Sequence, residues 1–270
     1  MKSKKITRFI KRFLLTVIGV CLFQIGRECY WFIQYKTQQN DMKKTIEVQV
    51  EYPAPSSDVT SETEISAPVD TNIVQIESKP DMLSRYVSLY EENHDLIGWV
   101  TIEGTKIDYP VMQSYDDEYY LYHDFYGEDS KYGCLYVKNQ ADIVENTNFI
   151  IYGHNMKDGA MFGNLDLYMK RSFYLEHPII SFDTLYEERT YEIIAVFQSQ
   201  VYNADDDVFK YYKFYQAETQ EKFNDFYDTI KKLSLYDTGV EAECGDTFLT
   251  LSTCAYNTTD GRFVVVAKRK

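Results

Sequence analysis

In TLSTCAYNTTDGRFVVVA, residues 250–267, a cysteine closes one β-branched run and an arginine opens the next. If Thr250 to Thr253 form one strand and Phe263 to Ala267 its hairpin partner, Cys254 and Arg262 stand at the two mouths of a seven-residue loop. A thiol beside a guanidinium suits acyl transfer. The thiolate is the nucleophile, and the arginine brings permanent charge and several donors for an oxyanion or a peptide backbone. The bland reading is a small buried hydrophobe and a snorkelling surface cation. Acyl transfer from an amide also needs an acid and base for the leaving and entering amines. Among four histidines, His154 in NFIIYGHNMKDGAMFGNL directly follows a β run and precedes a glycine-rich stretch, so its ring projects from a strand end. His177 precedes Pro178 and reads as a turn residue, His94 closes the first helix of the domain, and His123 sits among tyrosines.

The elements that must hold these residues are short. GWVTIE, IDYPVM, CLYV, NFIIYG, HPIISF, TYEIIAVFQ, TFLTLST and FVVVA are β-rich runs separated by turn residues, which points to a closed barrel or a sandwich. Two helices accompany them. DMLSRYVSLYEENHD has Asp81 as a candidate cap and Leu83, Val87 and Tyr90 at helical spacing. AETQEKFNDFYDTIKKL, before the penultimate run, places Phe223, Phe226, Tyr227, Ile230 and Leu233 on one face. The abundant tyrosines, as in EYYLYHDFY and KYYKFYQ, read as barrel core and rim.

At the N-terminus six basic residues, Lys2 to Arg12, precede an apolar run from Phe13 to Ile25 that reaches spanning length if read on to Ile33. The rival reading is a signal peptide, but no small-x-small cleavage site follows the run. The excess of basic residues puts the N-terminus in the cytoplasm and the bulk of the chain outside. The expected organisation is a tail and anchor over 1–36, a flexible stalk over 37–80 and a folded domain over 81–270. Without the tail's six bases, 22 Lys and Arg face 42 Asp and Glu, a surface that repels nucleic acid and anionic lipid. There is no CxxC pair, and the histidines lack metal-ligand spacing. Cys134 in YGCLYV reads as buried and Cys244 in EAECGD as a turn position. A Cys244–Cys254 disulfide is the structural rival to a reactive thiol.

IYGHNM, MFGNL, TLSTC and GRFVVVAKR, in this order, resemble the sortases, the cysteine transpeptidases of Gram-positive cell surfaces. NHDLIGWVTIEGTKIDYPVMQSYDDEYYL and the long helix before TFLTLSTC look like class B in particular. The resemblance spans residue 81 to the C-terminus. It implies a mostly β fold: an eight-stranded barrel with an N-terminal helix and a helix before the penultimate strand. It implies Cys254 as nucleophile, His154 as acid and base and Arg262 as oxyanion or backbone donor, with Leu121, Tyr152 and Ser252 lining a peptide groove. The implied reaction cleaves a sorting signal after Thr and passes the acyl group to a peptidoglycan amine, with no metal or other cofactor. The alternatives are a cysteine peptidase that only hydrolyses the peptide, a pilin-type protein ligase and a non-catalytic binding domain. Asp116 and Asp117, where some relatives carry Asn, and Ala255 after the cysteine depart from the family pattern and leave the preferred motif open.

Overall fold

The computed structural model describes residues 2–51, 81–255 and 260–270. Eight strands close a barrel: β1 (Leu96–Thr101), β2 (Asp108–Gln113), β3 (Leu135–Val137), β4 (Asn148–Gly153), β5 (Ile179–Thr184), β6 (Glu188–Gln200), β7 (Phe248–Cys254) and β8 (Gly261–Arg269). Their order around the barrel is β1-β2-β3-β4-β7-β8-β6-β5, closed by antiparallel pairing of β5 with β1. Each strand overlaps one of the β-rich runs, and closure removes the free edges that a sandwich would have to protect. Two neighbours are parallel, β2 with β3 and β4 with β7.

Alternation decides what fills the barrel. Ile151, Leu249, Leu251 and Val265 point into a core shared with Val100, Val111 and Phe182. On the other face of β6 and β8, Ile194, Phe197, Val264 and Val266 are covered by helix α5 (Gln220–Leu233) through Phe223, Phe226 and Ile230. Thr219 caps that helix, accepting from the Lys222 amide. Leu233, placed on the same face by periodicity, lies at the last residue and is largely exposed.

Two expectations change. Helix α2 (Ser84–Glu92) starts after Leu83, so Asp81 does not cap it. The Leu83 amide is taken instead by the Leu185 carbonyl at 2.7 Å. Residues 37–51, expected as the start of a stalk, continue helix α1 (Lys2–Glu51) along the barrel wall. Tyr35 and Met42 are buried there and Ile46 packs beside them, a stripe of about one contact per two turns that is too sparse to stand out as amphipathic. Gln38 bonds Asp124, Lys43 pairs with Asp108 and Gln49 bonds Ser88. The rest of the expected stalk, 52–80, lies outside the described residues.

Candidate active site

β4 and β7 run side by side in register from Asn148 opposite Phe248 to Gly153 opposite Thr253. Neighbouring strands lie about 4.8 Å apart, so His154, just past the end of β4, and Cys254, the last residue of β7, stand at the same edge of the sheet. Every residue of β7 is buried except Cys254. The sequence thus holds the backbone in the core up to the thiol and releases it there. Cys254 is in turn the register partner of Arg262 on β8. The antiparallel hairpin expected from sequence supplies that pairing, and the Ala255 amide donates to the Gly261 carbonyl at 2.9 Å inside it. Residues 256–259 of the loop lie outside the described residues.

Side chains extend the ladder beyond its last backbone pair. Thr253 Oγ1 donates to the Gly153 carbonyl at 2.8 Å. Asn155 Nδ2 donates to the Cys254 carbonyl at 2.9 Å and to Asp166 Oδ2 at 3.1 Å. Gly153 is required by close packing, since a Cβ there would lie 2.3 Å from Leu135 Cδ2 and 2.9 Å from Phe162.

The residues singled out in the sequence, Cys254, His154, Arg262, Ser252, Tyr152 and Leu121, all line one cleft of about 520 Å³. His154 Nε2 lies 2.8 Å from the Leu121 carbonyl. A carbonyl only accepts, so Nε2 carries a proton and Nδ1 is the nitrogen left to exchange one. Arg262 donates to the carbonyls of Gly261 and Asp260, which turns its head back over its own hairpin. Ser252 is buried, its hydroxyl 2.8 Å from Tyr211 OH. The Tyr152 ring stacks on Tyr136 and lies under the Lys138 ammonium. Its hydroxyl is buried with no hydrogen-bond partner among the described residues. Burial pushes the Tyr136 and Tyr211 phenols up to about 12 and Tyr152 well above the ordinary range, so these phenols stay neutral at physiological pH.

The other sulfur and imidazole groups stay out of the cleft. Cys134 is buried, and burial raises its thiol pKa; Cys244 is an exposed free thiol in a turn, and Cys254 is free as well. His123 stacks on Tyr119, His94 meets Tyr90 edge-on and His177 ends a short helix against Phe173. Sequence reading missed Asn155 and Tyr211. Asn155 directly follows the histidine, but its burial and its partner on the neighbouring strand exist only in the fold; Tyr211 hides in KYYKFYQ, where four of seven residues are aromatic.

Comparison with known proteins adds three findings. A family model for the sortase domain matches residues 100–270. Sortase B of Listeria monocytogenes is 31% identical over 276 residues, covering 98% of each chain, and sortase B of Staphylococcus aureus is 35% identical over 187 residues, covering 68% of this chain and 74% of that one. The crystal structure of sortase B from B. anthracis in complex with AAEK1 superposes with a TM-score of 0.67 at 27% identity, covering 88% of this chain and 98% of that one.

Proposed function

Because this chain belongs to the sortase family and is a class B cysteine transpeptidase, we propose that Cys254 is its nucleophile, His154 its acid and base and Arg262 its electrostatic donor. The family acts on sorting signals and cell-wall amines in general. The finer reading is cleavage after the threonine of a sorting signal and transfer to a peptidoglycan amine. Cys254 Sγ bonds to the threonine carbonyl carbon. The oxyanion that forms is held by the guanidinium of Arg262, and collapse breaks the C–N bond while His154 gives its proton to the departing amine. The thioester is then attacked by the acceptor amine, whose proton returns to the imidazole as the thiolate leaves.

One observation carries this reading. Cys254 and His154 are the residues that follow the last register pair of two parallel strands, and Arg262 is the register partner of Cys254. The backbones that carry the thiol, the imidazole and the guanidinium therefore lie side by side at one sheet edge, around one cleft. The buried phenols of Tyr152 and Tyr211 with Ser252 form the groove floor on which the peptide would lie.

For location, α1 holds one stretch long and apolar enough to cross a membrane. The basic residues before it support a reading with the barrel on the outer side, where peptidoglycan amines are found. The folded enzymatic unit is residues 81–270, with α1 packed on it. Product analysis tests the reading. With a sorting peptide and a cell-wall amine, either a diaminopimelate stem peptide or a glycine bridge peptide, the amide-linked adduct is expected. Water at about 55 M outnumbers any amine, so only a held acceptor competes. Hydrolysed acid alone, with each acceptor at millimolar level, assigns the chain to the peptidase reading.

A further inference from the structure

Every position of α1 from Ile10 to Tyr30 is exposed; contact with the barrel begins at Glu28 and packing on its core at Trp31. Twenty-one residues of helix are about 32 Å long, close to the roughly 30 Å of a bilayer's hydrocarbon core. The barrel thus begins where the membrane would end. The joint is fixed from several sides. Lys131 of the barrel pairs with Glu28, still within the exposed stretch. Tyr35 is buried, stacked on Tyr132 at 4.3 Å with its hydroxyl 2.6 Å from that of Tyr109. Gln38 bonds Asp124, Met42 is buried, and Lys43 pairs with Asp108.

We propose that the barrel rests directly on the outer leaflet, with the loops 128–131 and 156–158 in contact with phospholipid headgroups. This rests on reading α1 as the membrane anchor. The chemistry of the contact is that of a glycerophospholipid. Phe32 and Ile33 of the helix and Tyr132 and Met156 of the barrel form an apolar-walled cleft with charges of both signs at its rim, Lys131 and Lys157 beside Glu28 and Asp158. Apolar walls suit the glycerol and upper acyl segments, and a rim carrying both signs of charge suits a zwitterionic headgroup. The same helix carries the apolar stretch and the cleft wall, so lipid is the molecule that lies alongside. Met156 is two residues beyond His154, so this mounting sets the height of the catalytic cleft above the bilayer, where a flexible stalk would leave it free.

The full chain in phosphatidylcholine nanodiscs tests this, with the photoreactive residue benzoylphenylalanine at Lys157, Asp129 or Glu91, one at a time. Glu91 is in α2, beside Ser88, which bonds Gln49, and Gln49 is about 32 Å along the helix from Glu28. Protein–lipid adducts are counted by mass spectrometry. At least about tenfold more adduct at 157 and 129 than at 91 is expected from that separation. Equal adduct at all three, or none at any while the protein stays in the disc, overturns the proposal and leaves a tethered barrel. Loss of the protein from the disc on alkaline washing is a separate failure, that of the anchor reading itself. In the double variant Tyr35→Ala, Met42→Ala, adduct at 157 should fall toward the level at 91; adduct unchanged there overturns the role of the packed helix.

Discussion

Asn155 donates from Nδ2 to the backbone carbonyl of Cys254 at 2.9 Å. The residue after the histidine thereby holds the residue that carries the thiol, one step beyond the point where the strands stop pairing. Behind it, Asp166 Oδ2 accepts from the same amide nitrogen.

Asn155→Ala leaves the half-buried Asp166 carboxylate without this donor and frees the Cys254 carbonyl. A stability loss of about 1–3 kcal/mol is expected, the usual cost of a buried polar group losing its partner, read as a lower urea midpoint with unchanged slope. If the amide also positions the thiol, kcat falls with little change in KM. A variant that loses stability but keeps kcat confines Asn155 to a structural role.

Arg262→Lys keeps the charge but not the planar multi-donor head, so most activity should be lost, chiefly in kcat. Loss within a factor of about two, less than 1 kcal/mol, shows that any positive charge suffices.

The closed barrel was legible because each strand is a compact β-branched or aromatic run flanked by turn residues, and β4 matched its run NFIIYG residue for residue. That Cys254, His154 and Arg262 line one cleft was legible because motif order carries over where geometry does not. The extent of α1 was not legible. Tyr35, Met42 and Ile46 are too widely spaced to mark a face, and what fixes residues 37–51 is a set of distant partners, Asp124, Asp108 and Ser88, that no local window contains. Asn155 was missed for the same reason, since its partner is 99 residues away.

That helix gives a stability prediction. A chain beginning at Lys79 lacks the cover that Tyr35 and Met42 provide, and burying side chains of this size contributes roughly 1.5–3 kcal/mol each. It should fold and retain peptide cleavage, but denature at a lower midpoint than a chain beginning at Arg27. Equal midpoints would show that α1 adds no packing energy.

Alkaline titration reads the groove. Burial raises the Tyr136 and Tyr211 phenols to about 12 in the folded chain, against 10.0 for the ordinary group. Unfolded tyrosine releases its proton first, so the unfolded state binds fewer protons between these values and stability falls as pH rises. Their contribution is complete below pH about 10 and lost by about 12. Thermal midpoints should drop across that window together with the rise of tyrosinate absorbance. Midpoints flat to pH about 12 would contradict the buried, neutral phenols.

Tyr211→Phe removes the partner of the buried Ser252 hydroxyl. About 0.5–1.5 kcal/mol of stability should be lost, with KM for the sorting peptide rising more than kcat falls if Ser252 must be held to shape the groove. An unchanged KM would place the pair in the core only.

The central claim is that Cys254 carries the acyl group, and intact-mass spectrometry of an acid-quenched reaction measures that directly. With a sorting peptide, the wild-type chain should gain the mass of the peptide's N-terminal fragment through threonine, located at Cys254 by fragmentation and discharged by an added amine. Cys254→Ala should show neither the added mass nor cleavage, while keeping its fold. Cleavage by Cys254→Ala at the wild-type rate, or the fragment attached at another residue, would contradict the account.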